Sequence, residues 1–232
     1  MKKYMPWMIL AILILIFVAV LPSSVTIVPI AQVEARQQSE KFDPVAYVDG
    51  IWESRLVADV QEKAVDLAAI LGQIEVDANG KAQKEQLVEI AKADGLITVG
   101  EAHIYMVKGT GKVVAVDDTS RVGTLTLELQ GYDGPITVKM YTGPRIPSDQ
   151  TAVRDAVGFI NFGDFRDQTE YGMVASEINK RVANQVLSGL DKATLEGKTL
   201  TFYGAMSVRT FNLPEIDMKE IVIVPILVEV SE

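Results

Sequence analysis

The sequence predicts an α+β fold, on three observations. Apolar residues recur at helical spacing between residues 43 and 95. From residue 96 the period changes to the alternation of half-buried strands, clearest in Thr124-Leu125-Thr126-Leu127-Glu128-Leu129. A second helical stripe, Val174, Ile178, Val182, Val186 and Leu190, then separates those strands from two more strand-like runs near the C-terminus.

The elements follow in order. Asp43 to Leu71 reads as a helix through Val57, Val60, Ala64, Leu67, Ala68 and Leu71, with Asp49-Gly50 as a turn or break inside it. Asp77-Ala78-Asn79-Gly80 is a turn. A second helix covers Ala82 to Ala93 with Leu87, Ile90 and Ala91 on one face, and Asp94-Gly95 closes it. Ile97 to Val107 has β character, and Gly109-Thr110-Gly111-Lys112 is expected to be a β-turn. Strands are expected at Lys112 to Val116, Thr124 to Leu129 and Ile136 to Tyr141, with a hairpin turn at Tyr132-Asp133-Gly134-Pro135. Thr151 to Leu190 should be mostly helical. Lys198 to Val208 and Glu220 to Val230 are the final strands, joined by a loop at Phe211-Asn212-Leu213-Pro214.

Three strands, a helical insertion and two strands is the order of an OB-like β-barrel, although the order alone also permits another α+β sheet. The expected organisation is residues 1–22 as a membrane anchor or signal sequence, 23–42 as a tether, 43–95 as a helical layer and 96–232 as the OB-like barrel with its insertion.

The N-terminal segment is a different material from the rest. Met5 to Leu21 is an apolar run without charge or glycine, preceded by Lys2 and Lys3 and ended by Pro22-Ser23-Ser24. As a helix it would span about 25 Å, close to the minimum for crossing a bilayer. The two lysines place its start in the cytoplasm, so the remaining chain is exported. Leu21 to Ser24 is a poor cleavage site, and Val33-Glu34-Ala35 lies far downstream, so one uncleaved transmembrane helix is expected rather than a removed signal peptide. Trp7 belongs at the membrane interface.

Composition excludes several chemistries. There is no cysteine among the 232 residues, which removes disulfides, thiolate catalysis and cysteine-based metal sites. Net charge is −9; residues 1–35 are net +1, leaving −10 on the exported part. Such a domain is repelled by phosphate backbones and is not expected to bind nucleic acid. His103 is the single histidine and sits in an apolar β segment with no nucleophile paired to it in sequence. Asp117-Asp118 lacks calcium-loop spacing, and Gly109 to Lys112 lacks the spacing of a phosphate loop, since Val113 follows the lysine. No cofactor or metal is expected, and no catalytic residue emerges.

One stretch carries the composition of a ligand surface. Phe159, Phe162, Phe165 and Tyr171 alternate with Asn161, Asp164, Arg166, Asp167 and Gln168. Sugar sites pair aromatic faces with planar amides and carboxylates. Phe159, Asn161, Phe162, Asp164, Phe165, Gln168, Tyr171 and Arg154 are therefore the candidate binding residues. The competing reading is that the phenylalanines plug the barrel, the polar groups cap helices and turns, and Arg154-Asp155 is an internal ion pair. Trp52, beside Glu53 and Arg55, reads either as a ligand contact or as an anchor onto the core.

Val48-Asp49-Gly50-Ile51-Trp52-Glu53-Ser54, Ala152-Val153-Arg154-Asp155-Ala156, Phe159 to Tyr171 and Ile178-Asn179-Lys180-Arg181 together resemble the bacterial family called domain of unknown function 2291, the predicted periplasmic lipoproteins. The resemblance covers nearly the whole chain. It implies an extracytoplasmic protein linked to sugar ABC transporters of the ribose type, with no assigned activity and no functional residues to carry over. Where the family pattern has the lipid-bearing cysteine, this chain has Val25, so lipidation there is chemically impossible. The expected function is a non-enzymatic, membrane-anchored accessory protein that binds a carbohydrate or a transporter component. A carbohydrate-active envelope hydrolase and a purely structural envelope protein are the alternatives.

Overall fold

The computed structural model describes residues 41–98 and 100–231. The expected anchor, most of the tether and Trp7 lie outside the described residues. Among the described residues, no helix is long and apolar enough to cross a membrane.

Asp43 starts the first helix by accepting from the Val45 and Ala46 amides at 2.9 and 3.1 Å, and Pro44 occupies the first turn, where its missing N–H costs nothing. The helix runs through α1 (Pro44–Ile51), a π-helical turn at Trp52–Val57 and α2 (Ala58–Lys63). Gly50 lies inside it without breaking it. The expected continuation to Leu71 does not occur. Ala64 turns extended, Val65–Asp66 forms β1, and Asp66 then caps α3 (Leu67–Gly72) through the Ala69 amide at 3.0 Å. The break is imposed from elsewhere in the chain, because β1 pairs in parallel with Val107 and Lys108. Similarly Ala82, expected in a helix, sits in β2 (Lys81–Gln83), paired with β8 (Glu215–Asp217), a short strand just after the expected Phe211 to Pro214 loop; α4 follows at Lys84–Asp94.

The main sheet is built from β3 (Leu96–Ile97), β4 (Ala102–Asp117), β5 (Thr124–Leu129), β6 (Thr137–Tyr141), β7 (Thr199–Arg209) and β9 (Glu220–Ser231), with β1 and β3 on the flank of β4. Five pairings form a closed circuit. β4 pairs antiparallel with β5, β5 with β6, β6 in parallel with β9, β9 antiparallel with β7, and β7 back to β4. The long strand β4 belongs to two neighbours at once, β7 along its first part and β5 along its second. This corrects the expected turn at Gly109 to Lys112. Those glycines are in mid-strand, where a Cβ on Gly111 would meet the Glu128 carbonyl oxygen at 2.9 Å and one on Gly109 would meet Leu129 Cδ1 at 2.9 Å. Glycine here permits close approach of a neighbouring strand rather than chain reversal.

Inside the circuit lie Tyr105, Val107, Val113, Leu125, Leu127, Leu129, Leu200, Phe202, Met206 and Ile223, closed over by Leu67, Ile70, Leu71, Leu87 and Ile90 of α3 and α4. Each fully buried aliphatic side chain contributes about 1.5–3 kcal/mol. The segment between β6 and β7 contains α5 (Ala152–Ala156), a 3-10 turn at Phe162–Asp164, α6 (Gln168–Arg181) and a π-helical turn at Val182–Leu187. It is less helical than expected, since residues 157–161 and 165–167 are irregular. α5 packs on β4 and β7, and α6 packs on α1. Trp52 is buried, with the Arg181 guanidinium 5.6 Å from its ring and paired to Asp49.

His103 is a hydrogen-bonded sheet residue. It is 1% exposed, and its Nε2 lies 3.3 Å from Thr210 Oγ1, whose proton goes to the Glu101 carbonyl. Nδ1 is then the unprotonated nitrogen and has no hydrogen-bond partner among the described residues. Burial holds the imidazole pKa below its ordinary value; Lys84 adds to this and Glu101 opposes it. The unfolded chain therefore binds a proton that the folded one refuses. Stability from this site is complete above about pH 6.5 and declines as pH falls from there towards the folded-state pKa. Urea midpoints measured at pH 7.5 and 5.5 should fall further for the natural chain than for His103→Gln, and equal falls would refute the assignment.

Candidate functional site

A cleft of about 550 Å³ opens beside the sheet, in the range of about 300–1,000 Å³ typical of small-molecule sites. Four separated segments build it. The π turn and α2 supply Arg55, Asp59 and Lys63, four residues apart along one helix face. The end of α4 and the start of β3 supply Ala93, Asp94, Gly95 and Leu96. The outer side of β4 supplies Ile104 and Met106, and the chain leaving α5 supplies Ala156 to Phe159. The floor is apolar and the rim is charged.

The rim groups are differently engaged. Lys63 Nζ lies 2.9 Å from Asp59 Oδ2, and Asp94 accepts from Gln73 Nε2 at 3.1 Å. The Arg55 guanidinium lies over the Phe159 ring, 3.8 Å from its centroid. Among the described residues no carboxylate comes within ion-pair distance of Arg55. Asp164 and Arg55 both act on Tyr47, whose pKa is raised by burial first and by Asp164, with Arg55 opposing.

Of the candidate residues from sequence, only Phe159 lines this cleft. The others form an adjoining knot outside the main core. Phe165 meets Tyr47 and Tyr171 at ring separations of 5.4 and 5.6 Å, and Phe162 stands edge-on to Tyr171 at 5.6 Å. The phenylalanines do not plug the barrel, because the wide circuit interior is already filled by aliphatic side chains, Tyr105 and Phe202. Phe162 is instead 52% exposed. The polar members serve the backbone. Asn161 and Asp164 form a reciprocal cap on the 3-10 turn, and Asp167 caps α6 through the Thr169 and Glu170 amides at 2.8 and 3.0 Å. Those amides hold the Asp167 carboxyl below the usual range. Gln168 is exposed in the first turn of α6.

Arg154 is 7% exposed and faces inward. Its Nη2 lies 2.7 Å from Asp155 Oδ1, its Nη1 donates to the Tyr171 carbonyl at 3.2 Å, and its guanidinium stacks on the Tyr171 ring at 3.6 Å. Burial and then Asp155 push the Tyr171 phenol pKa up. Arg154 is thus a strut of the insertion.

The family described as "Predicted periplasmic lipoprotein (DUF2291)" matches residues 14–229. The chain belongs to this family. The family description points to an extracytoplasmic, membrane-associated location for this DUF2291 protein. No curated protein matches it at a significant level. Among solved structures, an OB-fold protein from Thermotoga maritima matches with a TM-score of 0.61 at 18% identity, covering 83% of this chain and 100% of that one. The likeness shows the fold, and the five-strand circuit with its helical insertion between β6 and β7 is the part that positions the cleft.

Sequence reasoning missed Asp59, Lys63, Asp94, Leu96 and Met106. The spacing of Arg55, Asp59 and Lys63 was visible, but such a stripe ordinarily marks a solvated helix face. Among the described residues no group of three or more His, Asp or Glu side chains is placed to hold a metal ion.

Proposed function

We propose that this DUF2291 protein is a non-catalytic binding module outside the cytoplasmic membrane, whose cleft takes a small hydroxylated ligand of monosaccharide size. The observation that carries the reading is the cleft itself, an apolar floor of Ile104, Met106 and Val157 beneath a rim of Arg55, Asp59, Lys63 and Asp94. Apolar contact suits the C–H faces of a sugar, and planar charged groups suit its hydroxyls. A role without catalysis is favoured because Asp59 is committed to Lys63 and the single histidine lies buried against Thr210, away from the cleft lining. The carboxylates with displaced pKa values (Asp77, Asp117, Asp167, Glu170 and Asp217) all move down through hydrogen bonds, opposite to what a general acid at neutral pH requires. With no thiol in the chain, residues 5–21 are the proposed anchor. Assistance to a sugar ABC transporter is the biological setting that fits such a module.

Calorimetry of the full-length chain in detergent against a panel of pentoses, hexoses and their acids tests the reading. Ala93→Trp, on the exposed rim, should abolish binding without lowering the melting temperature, whereas Phe162→Ala, outside the cleft, should leave it intact. Loss in Phe162→Ala alone would move the site to the aromatic knot. Silence across the panel would sink the ligand-binding reading.

A further inference from the structure

We infer that the cleft selects a carboxylated sugar over its neutral counterpart, with Arg55 as the specificity-determining group. The inference rests on the proposed reading of the cleft as a sugar-sized binding site. Three observations carry it. Both acids on the rim already have partners, Asp59 in Lys63 at 2.9 Å and Asp94 in Gln73 at 3.1 Å. Lys63 is spent on Asp59. Of the two cations that line the cleft, Arg55 is the one with no ion-pair partner among the described residues.

The ring of Phe159, 3.8 Å from the guanidinium carbon, restricts Arg55 through its face. A stacked guanidinium keeps its in-plane N–H groups free, and these match a carboxylate in a two-point contact. Because the ring already orders the side chain, less rotamer freedom is lost when the carboxylate arrives. The π turn contributes as well. It buries Trp52 and Leu56 of Trp52–Val57 while leaving Arg55 on the outer side. The chain's net charge of −9 repels anions at long range, so selectivity has to come from this short-range contact.

A fully hydroxylated neutral sugar would leave the guanidinium matched only by weaker neutral acceptors. The expected discrimination is about 10–100-fold, that of one charge-assisted contact.

The test is calorimetry of the full-length chain in detergent with glucuronate, galacturonate and gluconate against glucose and galactose. At least one acid should bind about tenfold or more tightly than its neutral counterpart. Arg55→Gln should erase that preference while retaining the melting temperature, and Arg55→Lys should keep only part of it because a lysine cannot make the two-point contact. Equal affinities for acid and neutral sugars, or a preference that survives Arg55→Gln, would overturn the inference and leave the sugar-cleft reading standing. Absence of binding by all five compounds would overturn the inference, and silence from the pentoses as well would overturn the sugar-cleft reading with it.

Discussion

Arg154→Ala should destabilise the protein by about 3–5 kcal/mol, the cost of leaving one member of a buried ion pair without the other. The guanidinium is inaccessible and satisfies several partners at once. Its Nε donates to Asp155 Oδ1 at 2.8 Å, its Nη1 to the Tyr171 carbonyl at 3.2 Å, and its face covers the Tyr171 ring. Asp155 also accepts from the Thr151 hydroxyl at 2.7 Å and the Tyr171 hydroxyl at 3.2 Å. Without Arg154, the carboxylate keeps two neutral donors and loses its counter-charge in a region with little water. Arg154→Met combined with Asp155→Asn should recover much of the loss, because the double change removes both charges and preserves most of the volume. Urea unfolding of Arg154→Met, Asp155→Asn and the double variant measures the coupling. Additive losses would show that the pair is solvated and that Arg154 is available to a ligand after all.

The same residue shows where the sequence is informative. Arg154-Asp155 could be read as an internal pair because opposite charges flanked by Ala152, Val153 and Ala156 have little reason to lie adjacent on an otherwise apolar turn. Thr124 to Leu129 was legible for a similar reason, since its alternation records burial on one face only, and the strand occupies those residues. The helix expected from Asp43 to Leu71 was legible only as far as local spacing governs it. Val60, Ala64 and Leu67 continue a helical stripe straight through a segment that leaves the helix to pair with Val107 and Lys108. Nothing within the segment announces a partner some forty residues away. The cleft was illegible on the same ground. Its wall joins Arg55 to Lys63, Ala93 to Leu96, Ile104 with Met106, and Ala156 to Phe159, each ordinary on its own. The aromatic stretch drew notice by composition, and the structure places Phe159 alone in the cleft while Phe162, Phe165 and Tyr171 hold the insertion together.

Gly204→Ala and Gly50→Ala should change stability in opposite directions. Gly204 lies in β7 between two strands, opposite Val107 of β4 and Pro225 of β9. A Cβ there would come within 2.4 Å of the Val224 carbonyl oxygen and 3.0 Å of Pro225 Cα. Both are backbone atoms, so no side-chain rotation relieves the contact and the strands must separate. The pairing register shifts at this point, between Tyr203 and Gly204, and Pro225 has no N–H with which to hold the ladder. The extra methyl should therefore cost at least about 1–3 kcal/mol, the usual range for overpacking. The loss should be local to the β7–β9 seam, and hydrogen exchange should quicken from Leu227 to Ser231, where β9 closes the circuit against β7. Gly50 is exposed inside α1 and a Cβ there meets nothing within 4 Å. Alanine at that position should instead stabilise by about 0.4–1 kcal/mol, by narrowing the unfolded ensemble and favouring the helix. Thermal melts of the two variants give opposite shifts if the seam at Gly204 is as tight as its backbone contacts require; a neutral Gly204→Ala would mean that β7 and β9 part without cost and that the five-strand circuit is open there in solution.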